Sequence, residues 1–148
     1  MSGKFPLQPL LDLANTRMDE AARRLGELIA SERSGQQKLE MLESYRAEYR
    51  ERFIEATRAG IGPDELRNFS AFINRIDDAI AAQHQVVAQS RHYTTQGQKV
   101  WMAQRNKVRA FDTLSQRHQD EQAKLESRRE QRTNDEHAAR KHLERDAD

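Results

Sequence analysis

The chain has 148 residues, of which 33% are charged and 36% are hydrophobic. This is too little apolar surface for an ordinary globular core, so the composition favours either disorder or extended helices. The 25 basic and 24 acidic residues give a net charge of +1, which offers no general electrostatic case for a nucleic-acid or anionic-membrane partner. The lack of cysteine excludes a disulfide framework and a thiolate metal site.

The N-terminal stretch from Met1 to Leu7 contains Lys4 and Pro6 and has no continuous apolar core. It therefore predicts neither a signal peptide nor a membrane span. We expect the protein to be cytoplasmic.

The first third of the chain carries two apolar rows, each with one residue every seven positions, and the second row lies three residues after the first. Apolar residues sustained in both rows are typical of a coiled-coil seam, and disorder would not keep this register. Pro9 fits the first turn of a helix, so we predict helix 1 over about 9–59. The rows are Leu11, Met18, Leu25, Glu32, Leu39, Arg46 and Phe53, and Ala14, Ala21, Leu28, Gly35, Leu42, Tyr49 and Ala56.

A hinge at 60–63 separates helix 1 from a second helix predicted over about 64–140. Gly60 suits the left-handed position that ends a helix, and Pro63 suits the first position of the next. Asp64 and Glu65 place negative charge where the helix dipole favours it. The apolar pattern of helix 2 weakens in the middle and then returns. Its members are Leu66, Phe69, Ile73, Ile76, Ile80, Val87, Trp101, Val108, Phe111 and Leu114, with Ser90, Thr94 and Gly97 in the weak part.

Folding helix 2 back on helix 1 predicts which residues face each other. Phe53 then meets Ser70 and its neighbours, and Leu42 meets Ala81. The polar break at Glu32 and Gly35 falls opposite Gln89 and Ser90, as one antiparallel pair with a polar middle would require. We therefore predict an all-α protein in which residues 1–148 form a single antiparallel coiled-coil hairpin.

The same register leaves a charged C-terminal helical overhang. Leu11 reaches about Asp112, so helix 2 is predicted to continue beyond its partner from about Leu114. After Leu125, Leu143 is the one large aliphatic residue. Opposite charges four residues apart support a lone helix by only ~0.2–0.5 kcal/mol per pair, so we expect residues 126–148 to fray and to be ordered chiefly by a partner.

Residue patterns that would support catalysis are weak. The histidines at 84, 92, 118, 137 and 142 include no pair four residues apart, and no phosphate-binding loop of the Walker type occurs. Solvated surface positions account for these histidines and for the many carboxylates. We expect no enzyme activity, no cofactor and no metal site.

A basic stretch lies between Asp78 and Asp112, where no acidic residue occurs. It contains Arg91, Lys99, Arg105, Lys107 and Arg109 together with Tyr93 and Trp101. Such a stretch could bind a nucleic-acid backbone. Acids on helix 1, namely Glu20, Glu27 and Glu32, could equally neutralise it within the hairpin, and we favour this internal account.

A second feature near the hinge is a surplus of apolar residues. Other residues already supply the seam there, so Tyr45 and Phe72 are not needed to fill it. A two-helix pair cannot bury a third row, so these side chains should form an exposed stripe. Such a stripe is either simple surface or, more often, a protein-binding site. Its members are Leu42, Tyr45 and Tyr49 on helix 1 and Phe72, Ile76 and Ala79 on helix 2.

These residues belong to a set of motifs that resembles the flagellar export protein family FliJ over most of the chain. The combination of Tyr45, Tyr49, Gly60-Ile61 and Phe72 at fixed spacing is more specific than the heptads alone. The matching segments are Asp12-Leu13-Ala14, Ala21-Ala22-Arg23-x-Leu25-Gly26-Glu27, Met41-Leu42-x-x-Tyr45-x-x-Glu48-Tyr49-Arg50, Gly60-Ile61, Asn68-Phe69-x-x-Phe72-Ile73 and Ala79-Ile80. Lys38, Gln83 and the highly charged tail depart from the family pattern.

The resemblance implies a small non-catalytic coiled coil similar to the central stalk of rotary ATPases. It implies contact with the ring of the export ATPase FliI, with the export gate protein FlhA and with export chaperones, at the inner face of the cell membrane below the flagellum. It also implies that the stripe of Leu42, Tyr45, Tyr49, Phe72, Ile76 and Ala79 binds the gate. The alternatives are the equivalent stalk of an injectisome or a general coiled-coil scaffold.

Overall fold

The computed structural model describes residues 3–147 and contains two helices, α1 over Gln8–Ala59 and α2 over Pro63–Asp146. Pro63 takes the first position of α2, and Asp64 and Glu65 lie in its first turn, where their charge favours the helix N-terminus. The helices pack against each other as an antiparallel hairpin, so the predicted all-α fold is confirmed.

The hinge depends on one glycine conformation. Gly60 has a φ of 86°, in the left-handed region that a side chain disfavours. Its N–H donates a hydrogen bond to the carbonyl oxygen of Thr57 at 3.2 Å, which closes the last turn of α1. The N–H of Leu66 then donates to the carbonyl oxygen of Gly62 at 3.1 Å, which starts α2.

Contacts group the chain into two units. The hinge unit is Glu20–Met102, and the terminal unit combines the described residues of Met1–Asp19 with those of Ala103–Asp148. Each unit pairs a segment of α1 with a segment of α2.

In the hinge unit, both predicted rows of α1 face α2. Every row member from Ala21 to Ala56 is buried or half-buried, and Leu39 is 4% exposed. From α2, Ile76 and Val87 are also buried. Arg46 forms an ion pair with Asp77, and Arg91 Nε lies 3.6 Å from Glu32 Oε1, so the pairing follows the predicted antiparallel register.

The middle of this unit is polar and narrow. Gln83 Nε2 donates a hydrogen bond to the carbonyl oxygen of Gly35 at 2.9 Å. Gly35 therefore faces Gln83 and Val87, about one turn nearer the hinge than the predicted Gln89 and Ser90. The reason is that a seam residue inserts between several residues of the facing helix, so its nearest neighbours lie on either side of the position directly opposite.

Gly97 marks a close approach between the helices. A Cβ atom added there would lie 2.7 Å from Leu28 Cδ1 and 3.5 Å from Leu25 Cδ1. The seam row contains glycine at this point because the two leucines of α1 occupy the space that a side chain would need.

In the terminal unit, Leu11, Ala14 and Val108 form a buried cluster against which Met18 and Phe111 pack. The segment before α1 also contacts α2, since the ring centroids of Phe5 and His118 are 5.7 Å apart. The predicted charged helical overhang is present, but it begins later than Leu114. The residues preceding α1 extend the pairing to His118.

Beyond Gln122, all described residues are exposed, and α2 continues to Asp146 rather than ending near 140. Near its end, His142 Nε2 lies 3.4 Å from Asp146 Oδ2, an i,i+4 arrangement that favours helix when the histidine is protonated. The fraying of this segment in solution stays a prediction. Neither helix, over the described residues, is long and apolar enough to cross a membrane.

Candidate partner-binding surface

The six residues of the predicted stripe all lie in the hinge unit, but at different depths. Tyr45 and Phe72 are 57% and 41% exposed, as predicted for side chains that are not needed to fill the seam. Ala79 is exposed, whereas Leu42 and Tyr49 are half-buried. Ile76 is only 8% exposed, so it supports the surface from below and offers almost no contact area itself. We call the surface around Tyr45, Tyr49 and Phe72 the hinge surface.

A groove runs between the two helices at this surface. It is lined by Met41, Ser44, Tyr45, Glu48, Tyr49, Arg52 and Phe72. Met41 is 51% exposed and adds a large apolar side chain that is absent from the predicted stripe, although it lies one turn before Tyr45. Glu48 and Arg52 pair on one rim, with Arg52 Nη2 3.1 Å from Glu48 Oε1. An apolar and aromatic centre with a charged rim is typical of a protein interface.

Aromatic rings packed at tilted angles hold this surface in place. The ring of Tyr49 lies 4.3 Å from that of Phe72 and 5.3 Å from that of Phe69, measured between centroids. Phe69 in turn lies 5.6 Å from Phe53, which belongs to the seam. The exposed ring of Phe72 is therefore connected to the core through its neighbours. A surface that is already ordered loses less conformational entropy on binding.

An ion pair across the seam fixes the two sides of the groove relative to each other. Arg46 Nε donates to Asp77 Oδ1, and Arg46 Nη2 lies 3.5 Å from Asp77 Oδ2. This two-point contact is the geometry in which arginine binds a carboxylate most specifically. The hydrogen bond to Asp77, followed by the charge of Asp77, raises the pKa of Arg46 above its ordinary value, so the guanidinium stays charged.

The basic stretch of α2 is partly neutralised within the hairpin. Arg91 contacts Glu32 across the seam, and its Nη2 lies 3.4 Å from Gln36 Oε1. The prediction that acids of α1 neutralise the basic stretch within the hairpin is therefore confirmed for Arg91 and Glu32. For Glu27 it is wrong, because Glu27 pairs at 3.3 Å with Arg24 of its own helix, where an i,i+3 partner is nearer.

The described residues contain no cluster of three or more histidine, aspartate or glutamate side chains placed to hold a metal ion. What the hinge unit presents instead is an ordered apolar groove on a rigid helix pair. Fold and surface together define a coiled-coil protein with an exposed apolar groove on one helical face.

Comparison with known proteins gives the family. The family model for the flagellar FliJ protein matches residues 3–147. The flagellar FliJ proteins of Escherichia coli (strain K12) and Salmonella typhi are each 30% identical over 134 residues, covering 90% of this chain and 91% of theirs. The chain belongs to the flagellar FliJ family, and it is a non-catalytic component of flagellar protein export.

A solved structure supports the fold. A YscO homologue from Chlamydia trachomatis superimposes with a TM-score of 0.67 over 95% of each chain. The identity is 19%, so this similarity concerns the helical architecture only.

Proposed function

We propose that the chain is a coiled-coil stalk of the flagellar type III export apparatus, which links the ring of the export ATPase FliI to the export gate protein FlhA. The observation that carries this proposal is the ordered aromatic groove of the hinge unit in a chain of the FliJ family. The protein would act in the cytoplasm, at the inner face of the membrane below the flagellum, and would also assist export chaperones.

The hinge surface is the proposed gate contact. Tyr45, Phe72 and Ala79 provide exposed area, and Leu42 and Tyr49 provide half-buried support. Met41 joins the contact, whereas Ile76 acts only through packing. Aromatic residues in a preformed groove are the usual anchors of interfaces, where truncating one typically costs more than ~1–2 kcal/mol of binding free energy.

The terminal unit is the proposed ATPase contact. Besides Leu125 and Leu143 of the C-terminal segment, it exposes four large aliphatic side chains that its own cluster of Leu11, Ala14 and Val108 does not need. The exposed fractions range from 36% for Leu7 to 47% for Leu10, and the four residues are Leu7, Leu10, Leu13 and Leu114. An apolar patch beside a charged helical extension fits a contact that combines burial with electrostatic complementarity.

Swimming and export in a deletion strain test this function. Loss of the gene should abolish swimming and sharply reduce secretion of filament protein, and the wild-type chain supplied from a plasmid should restore both. A deletion strain that secretes filament protein at the wild-type level would refute an export role.

A further inference from the structure

A second exposed apolar row lies on α2, beyond the hinge surface. Val86, Tyr93 and Val100 are 49%, 47% and 54% exposed and follow one another at seven-residue intervals. Residues spaced by seven lie on one line along a helix in a coiled coil. Phe72 and Ala79 occupy the same line nearer the hinge, so the apolar row continues from the hinge surface along the hinge unit.

On α2, the residues three and four positions from Val86, Tyr93 and Val100 are all uncharged, in a chain where 33% of residues are charged. Gln89 and Gln96 occupy the positions three residues after Val86 and Tyr93, so they lie beside the row on the same helix. Gln89 Nε2 donates a hydrogen bond to the Tyr93 hydroxyl at 3.0 Å, which orients the ring. The seam needs none of these side chains, because other residues of α2 fill it, namely Gln83, Val87, Thr94 and Gly97.

The row borders a groove between the two helices. With no side chain at Gly97, the α2 backbone lies close to Leu28. A shallow apolar channel lies beside Tyr93 at this level. The channel is lined by Ala21, Arg24, Leu28, Tyr93, Gln96, Gly97 and Val100. A helix laid in this channel would contact both α1 and α2, as the third strand of a coiled coil does.

Charge indicates what kind of helix fits. On α1, Lys38 lies in the same helical row as Arg24, which lines this groove, and Tyr45, which lines the hinge groove. On α2, no acidic residue occurs between Asp78 and Asp112. The residues that border the groove are therefore basic or neutral, while Glu27, three residues further along α1, pairs with Arg24 at 3.3 Å. A second copy of the chain would bring the same basic border against this one.

We propose that the exposed row of Val86, Tyr93 and Val100, together with the groove beside Tyr93 and Val100, forms a docking site for an amphipathic helix of a partner protein, with apolar residues at heptad spacing and acidic residues on its flanks. The three anchors span about 21 Å at ~1.5 Å per residue, so three heptads of a partner helix cover them. This site lies beside the hinge surface and does not depend on the gate contact.

A designed peptide pair tests the groove directly. One 21-residue helical peptide carries leucine at both seam positions and glutamate on the flanks, and the other carries lysine on the flanks. Fluorescence anisotropy against the full chain should show that the glutamate peptide binds at least tenfold more tightly than the lysine peptide, and that salt reduces the difference. Val86→Ser with Val100→Ser should weaken glutamate-peptide binding at least tenfold.

The matched control is Gln85→Ser with Gln98→Ser, which introduces the same residue at exposed positions outside the row and should leave binding unchanged. Tyr45→Ala should also leave it unchanged, which separates this groove from the hinge surface. Equal affinity for the two peptides, or full binding by the double valine variant, would overturn the proposal. Sedimentation showing a dimer that the same valine changes abolish would also overturn it, because a second copy would then occupy the groove.

Discussion

Arg46 and Asp77 are joined across the seam, although each lies about four helical turns from the hinge between α1 and α2. The two residues are nearly equally far from the hinge along their helices. The ion pair therefore marks the antiparallel register that also places Phe53 against Phe69. Sliding one helix by a turn would separate the charges and break the contacts between the aromatic rings. The pair therefore acts as a register contact within the hinge unit.

Exchanging these two charges tests that role. Arg46→Asp or Asp77→Arg alone should lower the thermal midpoint, because each places like charges opposite one another. The double exchange should recover most of the loss, since the attraction is restored with reversed polarity. Circular dichroism melting of the four proteins measures this coupling. Simple addition of the two single effects would mean that the side chains do not interact.

Gly97 provides a second stability test. Gly97→Leu should destabilise the hairpin by ~1–3 kcal/mol, because the new side chain must enter space held by Leu28 and Leu25. Adding Leu28→Ala should recover part of the loss by making room. Chemical denaturation measures the free energies of unfolding.

Gly26 is the matched control, because it is a helical glycine of α1 with nothing within 4 Å of an added Cβ. Gly26→Ala should stabilise the protein by up to ~1 kcal/mol through helix propensity. A neutral or stabilising Gly97→Leu change would contradict the close approach of the helices at this position.

The sequence predicted the helices, the hinge and the seam because each has a strong local signal. Leu39 and Phe53 lie on heptad rows, and Gly60 and Pro63 have backbone preferences that few other residues share. The exposure of Tyr45 could be predicted because other residues already fill the seam, and a two-helix pair cannot bury a third row.

Other features depended on tertiary contacts that periodicity does not encode. Phe5 lies outside any heptad, so its packing on His118 could not be read from spacing. The contribution of Met41 could not be predicted, because a single methionine beside a seam resembles ordinary surface. The pattern places Ile76 both in the seam and in the stripe, and its burial shows that it packs in the seam.

The C-terminal segment should contribute little to stability. Deleting residues 125–148 removes side chains that are all exposed where described, so the melting of the remaining hairpin should change little. ATPase binding or stimulation should weaken, because the charged extension would no longer reach the ring. Melting and ATPase assays on the truncated chain check both parts. Unfolding of the truncated chain would mean that this segment packs on the terminal unit.

The two exposed aromatics of the hinge surface should differ in their effect on folding. Tyr45→Ala should change the free energy of unfolding by less than ~0.5 kcal/mol, as expected for a surface residue. Phe72→Ala should cost more, since it also loses the ring contact with Tyr49, a kind of pair that contributes ~0.5–1.5 kcal/mol. Denaturant titrations of both variants give the comparison, and equal effects would mean that the Phe72 ring does not pack as described.

The central claim is that one chain binds the ATPase and the gate at the same time through different surfaces. The most direct measurement is analytical ultracentrifugation of the chain with purified FliI and the cytoplasmic domain of FlhA. The wild-type chain and the control Leu66→Ala, whose side chain is 42% exposed outside the groove, should form a ternary complex. Tyr45→Ala with Phe72→Ala should weaken gate binding at least tenfold and leave the ATPase complex intact. If the double variant still forms the ternary complex with wild-type affinity, or if gate and ATPase displace each other, the stalk account is contradicted.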